Sequence, residues 1–203
     1  MASQALLTEA EWWLWLDSDV VLTLDDTLRL VDSAKREKRD RGALLMAATY
    51  VTKQKGRARH TVEWPDSEPH MYGLDGQVYP LHACGFGAVV THRSLFEILG
   101  RELPPCAFPN ERIVGRPYFL PLIASGYYLQ EDYAFCHRVR HQFSRDVMFC
   151  DTRIRCGHVG SYEYSWDDCQ EPRQAFPSYC LTTRKRGFLP SEFADVGPRL
   201  EQA

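Results

Sequence analysis

Three short stretches hold residue types that can do chemistry together. The first is Asp17-Ser18-Asp19, which follows the apolar run Trp12-Trp13-Leu14-Trp15-Leu16. Two carboxylates two residues apart at a strand end can offer oxygens to one hard divalent cation such as Mg²⁺ or Mn²⁺. The plainer reading is a solvated turn with a helix-capping acid. The second is Glu131-Asp132, opening an amphipathic stretch through Phe135, Val139 and Phe143. Acids at a helix start are favoured by the helix dipole. A carboxylate held there can equally accept a proton from a hydroxyl group. The third is His158, set between Gly157 and Val159-Gly160. A histidine so flanked is approachable, and neutral imidazole suits a transition-metal ion as well as a hydrogen bond. Taken singly, each of the last two stretches reads first as structure.

The elements that must position these groups follow from the pattern. The run Trp12–Leu16 predicts a strand buried on both faces, and Leu44–Val51 predicts a second. Between them, Asp25 or Asp26 can cap a helix that carries Leu28, Leu30 and Val31 and ends in the charged run Lys35–Arg41. Residues 60–80 suggest a hairpin or irregular insertion, punctuated by Pro65, Pro69, Gly73 and Gly76. A strand is expected within Ala83–Thr91, where Gly85 and Gly87 allow close approach of another group to the backbone. A short helix from His92 should close at Gly100, followed by a proline-rich loop over 101–121. A helix is expected over Glu131–Phe143, and short strands at Asp146–Cys150 and Arg153–Gly157. Strands alternating with helices indicate an α/β fold, in which ligands bind beyond the carboxyl ends of strands. Asp17-Ser18-Asp19 falls at such an end. Residues 1–168 read as one domain, and 169–203 as a C-terminal tail packed on it or partly disordered.

Composition sets the class. The chain has 203 residues, 44% hydrophobic and 25% charged, enough for one real core. A formal net charge of −3 argues against general nucleic-acid binding. The apolar runs are too short for a transmembrane segment. No basic, apolar leader opens the sequence, so a cytoplasmic protein is expected, with the secretory lumen the alternative if the N-terminus is truncated. The seven cysteines contain no CxxC pair, which removes a zinc ribbon or thioredoxin-type site. Cys84, Cys136 and Cys150 read as small buried hydrophobes, while Cys156, Cys169 and Cys180 can pair in an oxidising compartment.

Taken together and in this order, the three stretches resemble GT-A glycosyltransferases. There an Asp-x-Asp triplet ends a central strand, an acidic pair opens a later helix, and a late histidine completes a metal site. The resemblance covers residues 5–166. A narrower likeness, over the first fifty residues, is to fungal mannan polymerase mannosyltransferases.

The resemblance implies a GT-A-like mixed sheet flanked by helices, lacking the first strand–helix–strand unit that binds base and ribose. It implies a metal-dependent hexosyltransferase that takes UDP- or GDP-hexose and a glycan or protein acceptor. Asp17, Asp19 and His158 would hold Mn²⁺ or Mg²⁺, with Asp17 also facing the donor diphosphate. Gly85, Phe86 and Gly87 would line the donor-sugar pocket. Asp132, with Glu131 second, would be the base of an inverting reaction. Tyr162, Tyr164 and Trp166 would stack on the acceptor sugar, although aromatics at such spacing are more often packing residues.

Three other readings compete. One is a non-catalytic, transferase-derived carbohydrate-binding or scaffold protein. Another is a phosphoesterase, which would want acids and histidines around two metals; His82, His92 and His137 lack ligand spacing for it. The last is a DNA-base glucosylating enzyme using the basic stretch Lys53–His60, a stretch that reads first as a solvated loop.

Overall fold

The computed structural model describes residues 2–54, 59–107, 114–169 and 173–181. A five-stranded mixed sheet runs in the order Trp12–Leu16, Ala88–His92, Leu45–Ala47, Met148–Asp151, Val78–Pro80. Every pairing in it is antiparallel except Leu45–Ala47 with Met148–Asp151. Period-two alternation sends successive residues to opposite faces. Leu45, Val89 and Met148 thus join one core while Met46, Val90 and Phe149 join the other.

Helix α1 (Ala2–Ala5) is short. Helix α2 (Leu24–Arg41) covers one face of the sheet with Leu30 and Ala34. Its cap is Thr23, whose hydroxyl accepts from the Asp26 backbone N–H at 3.1 Å. Asp25 and Asp26 lie in the first turn instead, where they still face the positive end of the dipole. The helix stops at Gly42, whose φ of 73° gives the left-handed C-cap. Helices α3 (Arg93–Glu102) and α4 (Glu131–Gln142) cover the opposite face through Leu95, Phe96, Leu99, Phe135 and Val139. Burying each such side chain contributes roughly 1.5–3 kcal/mol. The result is a mixed sheet flanked by helices on both faces.

Several expectations are corrected by packing. Trp12–Leu16 is an edge strand, not one buried on both faces. Trp13 and Trp15 pack on Phe96 with ring centroids 5.1 and 5.6 Å away, while Leu14 and Leu16 are exposed. Helix α3 runs through Gly100 to Glu102 rather than ending there, and the Tyr118 hydroxyl occupies the space a side chain at 100 would need. The expected strand 153–157 begins only at Gly157; an Asp151–Arg153 ion pair at 2.6 Å bends the chain first. All seven cysteines are free, so Cys156, Cys169 and Cys180 form no disulfide. The described part of the tail joins the body: Ser178–Leu181 pairs antiparallel with His70–Gly73. Residues 55–58 of the basic stretch lie outside the described residues, as does the remainder of the tail from 182. No helix among the described residues is long and apolar enough to cross a membrane.

Candidate active site

The turn Asp17-Ser18-Asp19 is fixed by its main chain. The Asp17 N–H donates to Gly87 O at 3.0 Å, and the Val20 N–H closes the turn onto Asp17 O at 3.1 Å. The Val159 N–H then donates to Asp19 O at 2.7 Å. A small antiparallel sheet explains this last contact: Val20–Val21 pairs with Gly157–Val159, placing His158 opposite Val20. Thus a residue 139 positions later in the chain is delivered to the second acid of the triplet.

The two acids then diverge. Asp19 Oδ2 lies 3.5 Å from His158 Nε2. The His158 Nδ1 is 2.8 Å from Val51 O. A carbonyl can only accept, so Nδ1 donates to it and Nε2 is the ring atom turned toward Asp19. Such a carbonyl partner is the usual way a metal-binding imidazole is oriented. A carboxylate oxygen beside an imidazole nitrogen is a donor set that suits Mn²⁺ better than Mg²⁺, which prefers oxygen alone. Asp17 does not join them. Among the described residues no three His, Cys, Asp or Glu side chains are grouped closely enough to hold an ion. Of the expected trio, the structure brings Asp19 and His158 together and leaves Asp17 apart from them.

Asp17 instead lines a cleft of about 970 Å³ together with Phe86 and Asp132. One wall is the edge strand Trp12–Leu16 and the other the segment Arg116–Pro121. The Arg138 guanidinium holds that second wall through the carbonyls of Leu120 at 2.5 Å and Tyr118 at 3.3 Å.

Asp132, in the first turn of α4, accepts the Phe86 backbone N–H on Oδ2 at 3.0 Å. Burial pushes its carboxyl above the usual range; the Phe86 hydrogen bond acts against this, and the charges of Glu131 and Asp17 add to it. A raised carboxyl is the better proton acceptor. Glu131 is exposed and does not line the cleft. Asp19 shifts the other way: the hydrogen bond from Lys53 holds its pKa below the usual value.

Gly85 and Gly87 have a use the sequence does not reveal. A Cβ at Gly85 would lie 2.5 Å from the Tyr50 hydroxyl, and one at Gly87 would lie 2.5 Å from the Tyr50 ring. The group they admit is thus Tyr50, which separates them from the cleft role expected of the triplet; Phe86 alone lines it. Tyr50 is buried, and burial followed by the charges of Asp132 and Asp17 raises its pKa far above the ordinary phenol value.

The proposed acceptor aromatics are occupied. Trp166 is 1% exposed and packs against Tyr72 and Tyr179, which corrects the expectation of an open stacking face. Tyr164 is buried as well. Tyr162 donates to Asp168 Oδ1 at 2.5 Å, with Tyr164 tilted against its ring and the Arg173 guanidinium above it. Packing is what these three rings do.

No known protein family and no curated protein matches the sequence. Among solved structures, the chain is similar to A197 from STIV, at 15% identity and a TM-score of 0.50 over 91% of this chain and 73% of that one. At that identity the likeness concerns the fold alone, a mixed α/β arrangement of sheet and helices.

Proposed function

We propose that the chain is a GT-A-type glycosyltransferase domain that moves a hexose from UDP- or GDP-hexose to a hydroxyl of a glycan or protein acceptor. The observation that carries this reading is the Asp17–Asp132 pair in one cleft, beside an Asp19–His158 pair whose donor atoms face each other at 3.5 Å. The likeness to A197 concerns the mixed α/β fold and says nothing of donor or acceptor.

The chemistry follows from charge. Asp132 takes the proton from the attacking hydroxyl, whose oxygen forms the new bond to the anomeric carbon as the bond to the donor phosphate breaks. The Phe86 N–H fixes the orientation of that carboxylate, so the proton acceptor needs no search for its geometry. Asp19 and His158 would hold a divalent cation, which when bound neutralises the nucleoside diphosphate that leaves.

The reading is tested by calorimetric titration of the chain with UDP and with GDP, each with and without Mn²⁺, followed by a hydrolysis and transfer assay on the matching nucleotide hexose. Mn²⁺-dependent preference for one base, with release of that nucleotide from its hexose, is the expected result. Binding without turnover would identify a carbohydrate-binding or scaffold protein descended from a transferase, and no binding of either nucleotide would sink both.

A further inference from the structure

Lys53 stands outside the roles assigned so far. Its ammonium donates to Asp19 Oδ2 at 2.6 Å, the same oxygen that faces His158 Nε2. A lysine near a surface acid is ordinary, but this contact is held from three sides. A Cβ at Gly160 would lie 3.0 Å from the Tyr164 ring and 3.1 Å from Lys53 Cδ, so the bare backbone at 160 leaves room for both. Val51, two residues before Lys53, is tied to His158 through its carbonyl. Asp19 is tied to Val159 through its own. Acid, histidine and lysine arise from three separate segments, and main-chain contacts join all three.

We propose that Lys53 is the resident cation of this site, holding on Asp19 the place that a divalent ion would take, so that ion entry and lysine release are one exchange. The proposal rests on reading Asp19 and His158 as a cation site. A divalent ion sits about 2.0–2.2 Å from a carboxylate oxygen. An ammonium at hydrogen-bond distance from that same oxygen crowds and repels it. Lys53 is 36% exposed in its side chain, so it can leave toward solvent or toward the phosphate oxygens of a bound donor. The exchange keeps Asp19 neutralised in the ion-free protein and frees the ammonium when the ion binds.

The experiment is Mn²⁺ titration of the whole chain, read by the electron paramagnetic resonance of free Mn²⁺, for wild type, Lys53→Met, Asp19→Asn and the double variant. Circular dichroism confirms that each is folded. Removing the competing ammonium should tighten Mn²⁺ binding about threefold to tenfold, the scale of an exposed ion pair plus like-charge repulsion. Asp19→Asn should abolish the gain. Equal or weaker binding by Lys53→Met, with Asp19→Asn still weakening it, would overturn the exchange while leaving the cation site standing. Mn²⁺ binding indifferent to Asp19, or absent from wild type and Lys53→Met alike, would remove the site and the proposal with it.

Discussion

The Tyr50 ring meets the His158 imidazole edge-on, with centroids 5.0 Å apart and planes at 77°. Its other end reaches beneath Gly85 and Gly87 toward the charges of Asp17 and Asp132. One buried side chain therefore spans the two halves of the candidate site, the Asp19–His158 pair and the Asp17–Asp132 pair. Its hydroxyl sets how closely the Gly85–Gly87 segment, and with it the Phe86 N–H on Asp132, can approach.

This contact predicts a coupling. Gly85→Ala places a methyl 2.5 Å from the Tyr50 hydroxyl but 3.3 Å from the ring carbon behind it. In wild type the substitution should cost about 1–3 kcal/mol through overpacking. In a Tyr50→Phe background the nearest atom is gone, and the cost should fall by roughly 1 kcal/mol. Urea denaturation of the four variants measures the cycle. Additive costs would mean that Tyr50 is not what the glycine makes room for.

Asp132→Asn retains an oxygen to accept the Phe86 N–H, so the fold should hold while proton acceptance is lost. Single-turnover transfer should drop by about 10²–10⁴-fold. Nucleotide binding measured by calorimetry should stay close to wild type. A variant that transfers at the wild-type rate would take Asp132 out of the mechanism.

The elements that position this site were largely legible, and the partners within it were not. Hydrophobic period placed the helix from Glu131 and the strand from Trp12, because each carries its own pattern. The same apolar run also misled. WWLWL reads as doubly buried, yet its strand lies at the sheet edge, a matter of strand order that no local window contains. Lys53 and Tyr50 were missed for a related reason. Lys53 belongs to a charge run that looks solvated, and Tyr50 to an apolar run that looks like core. Lys53 lies against Gly160, and Tyr50 against Gly85 and Gly87, contacts between positions distant in sequence. Trp166 shows the reverse error: an aromatic near a motif histidine proved to be core, packed on Tyr72 and Tyr179.

The divergence of Asp17 and Asp19 predicts two distinguishable phenotypes. The negative charge of Asp17 helps raise the Asp132 pKa, so Asp17→Asn lowers it. A base must be deprotonated to act, and the acid limb of the pH–rate profile should therefore move to lower pH. Asp19→Asn leaves that limb in place and instead weakens Mn²⁺-dependent nucleotide binding. Profiles of kcat against pH, together with nucleotide titrations in Mn²⁺, separate the two. Identical behaviour of the variants would show that the acids act as one unit.

Stability should carry the mark of His60. Its Nδ1–H donates to Val62 O at 3.0 Å, and its ring lies against Trp64 and Tyr72. Burial pushes the imidazole pKa down to about 4, with the Val62 hydrogen bond opposing the shift and the nearby His70 adding to it. The folded state thus prefers the neutral ring, while the unfolded chain protonates near the ordinary value of 6.5. The unfolded state binds the extra proton between these values, so stability falls as pH drops from about 6.5 to about 4, and the loss levels off below that. At 1.36 kcal/mol per pH unit the effect is on the order of 3 kcal/mol. His82, His92 and His137 are also shifted down by burial and deepen the same limb. Urea midpoints at pH 7 and pH 4.5 should therefore differ markedly in wild type and less in His60→Gln, which keeps a donor for Val62 without the titration. An equal acid loss in both proteins would place the sensitivity elsewhere.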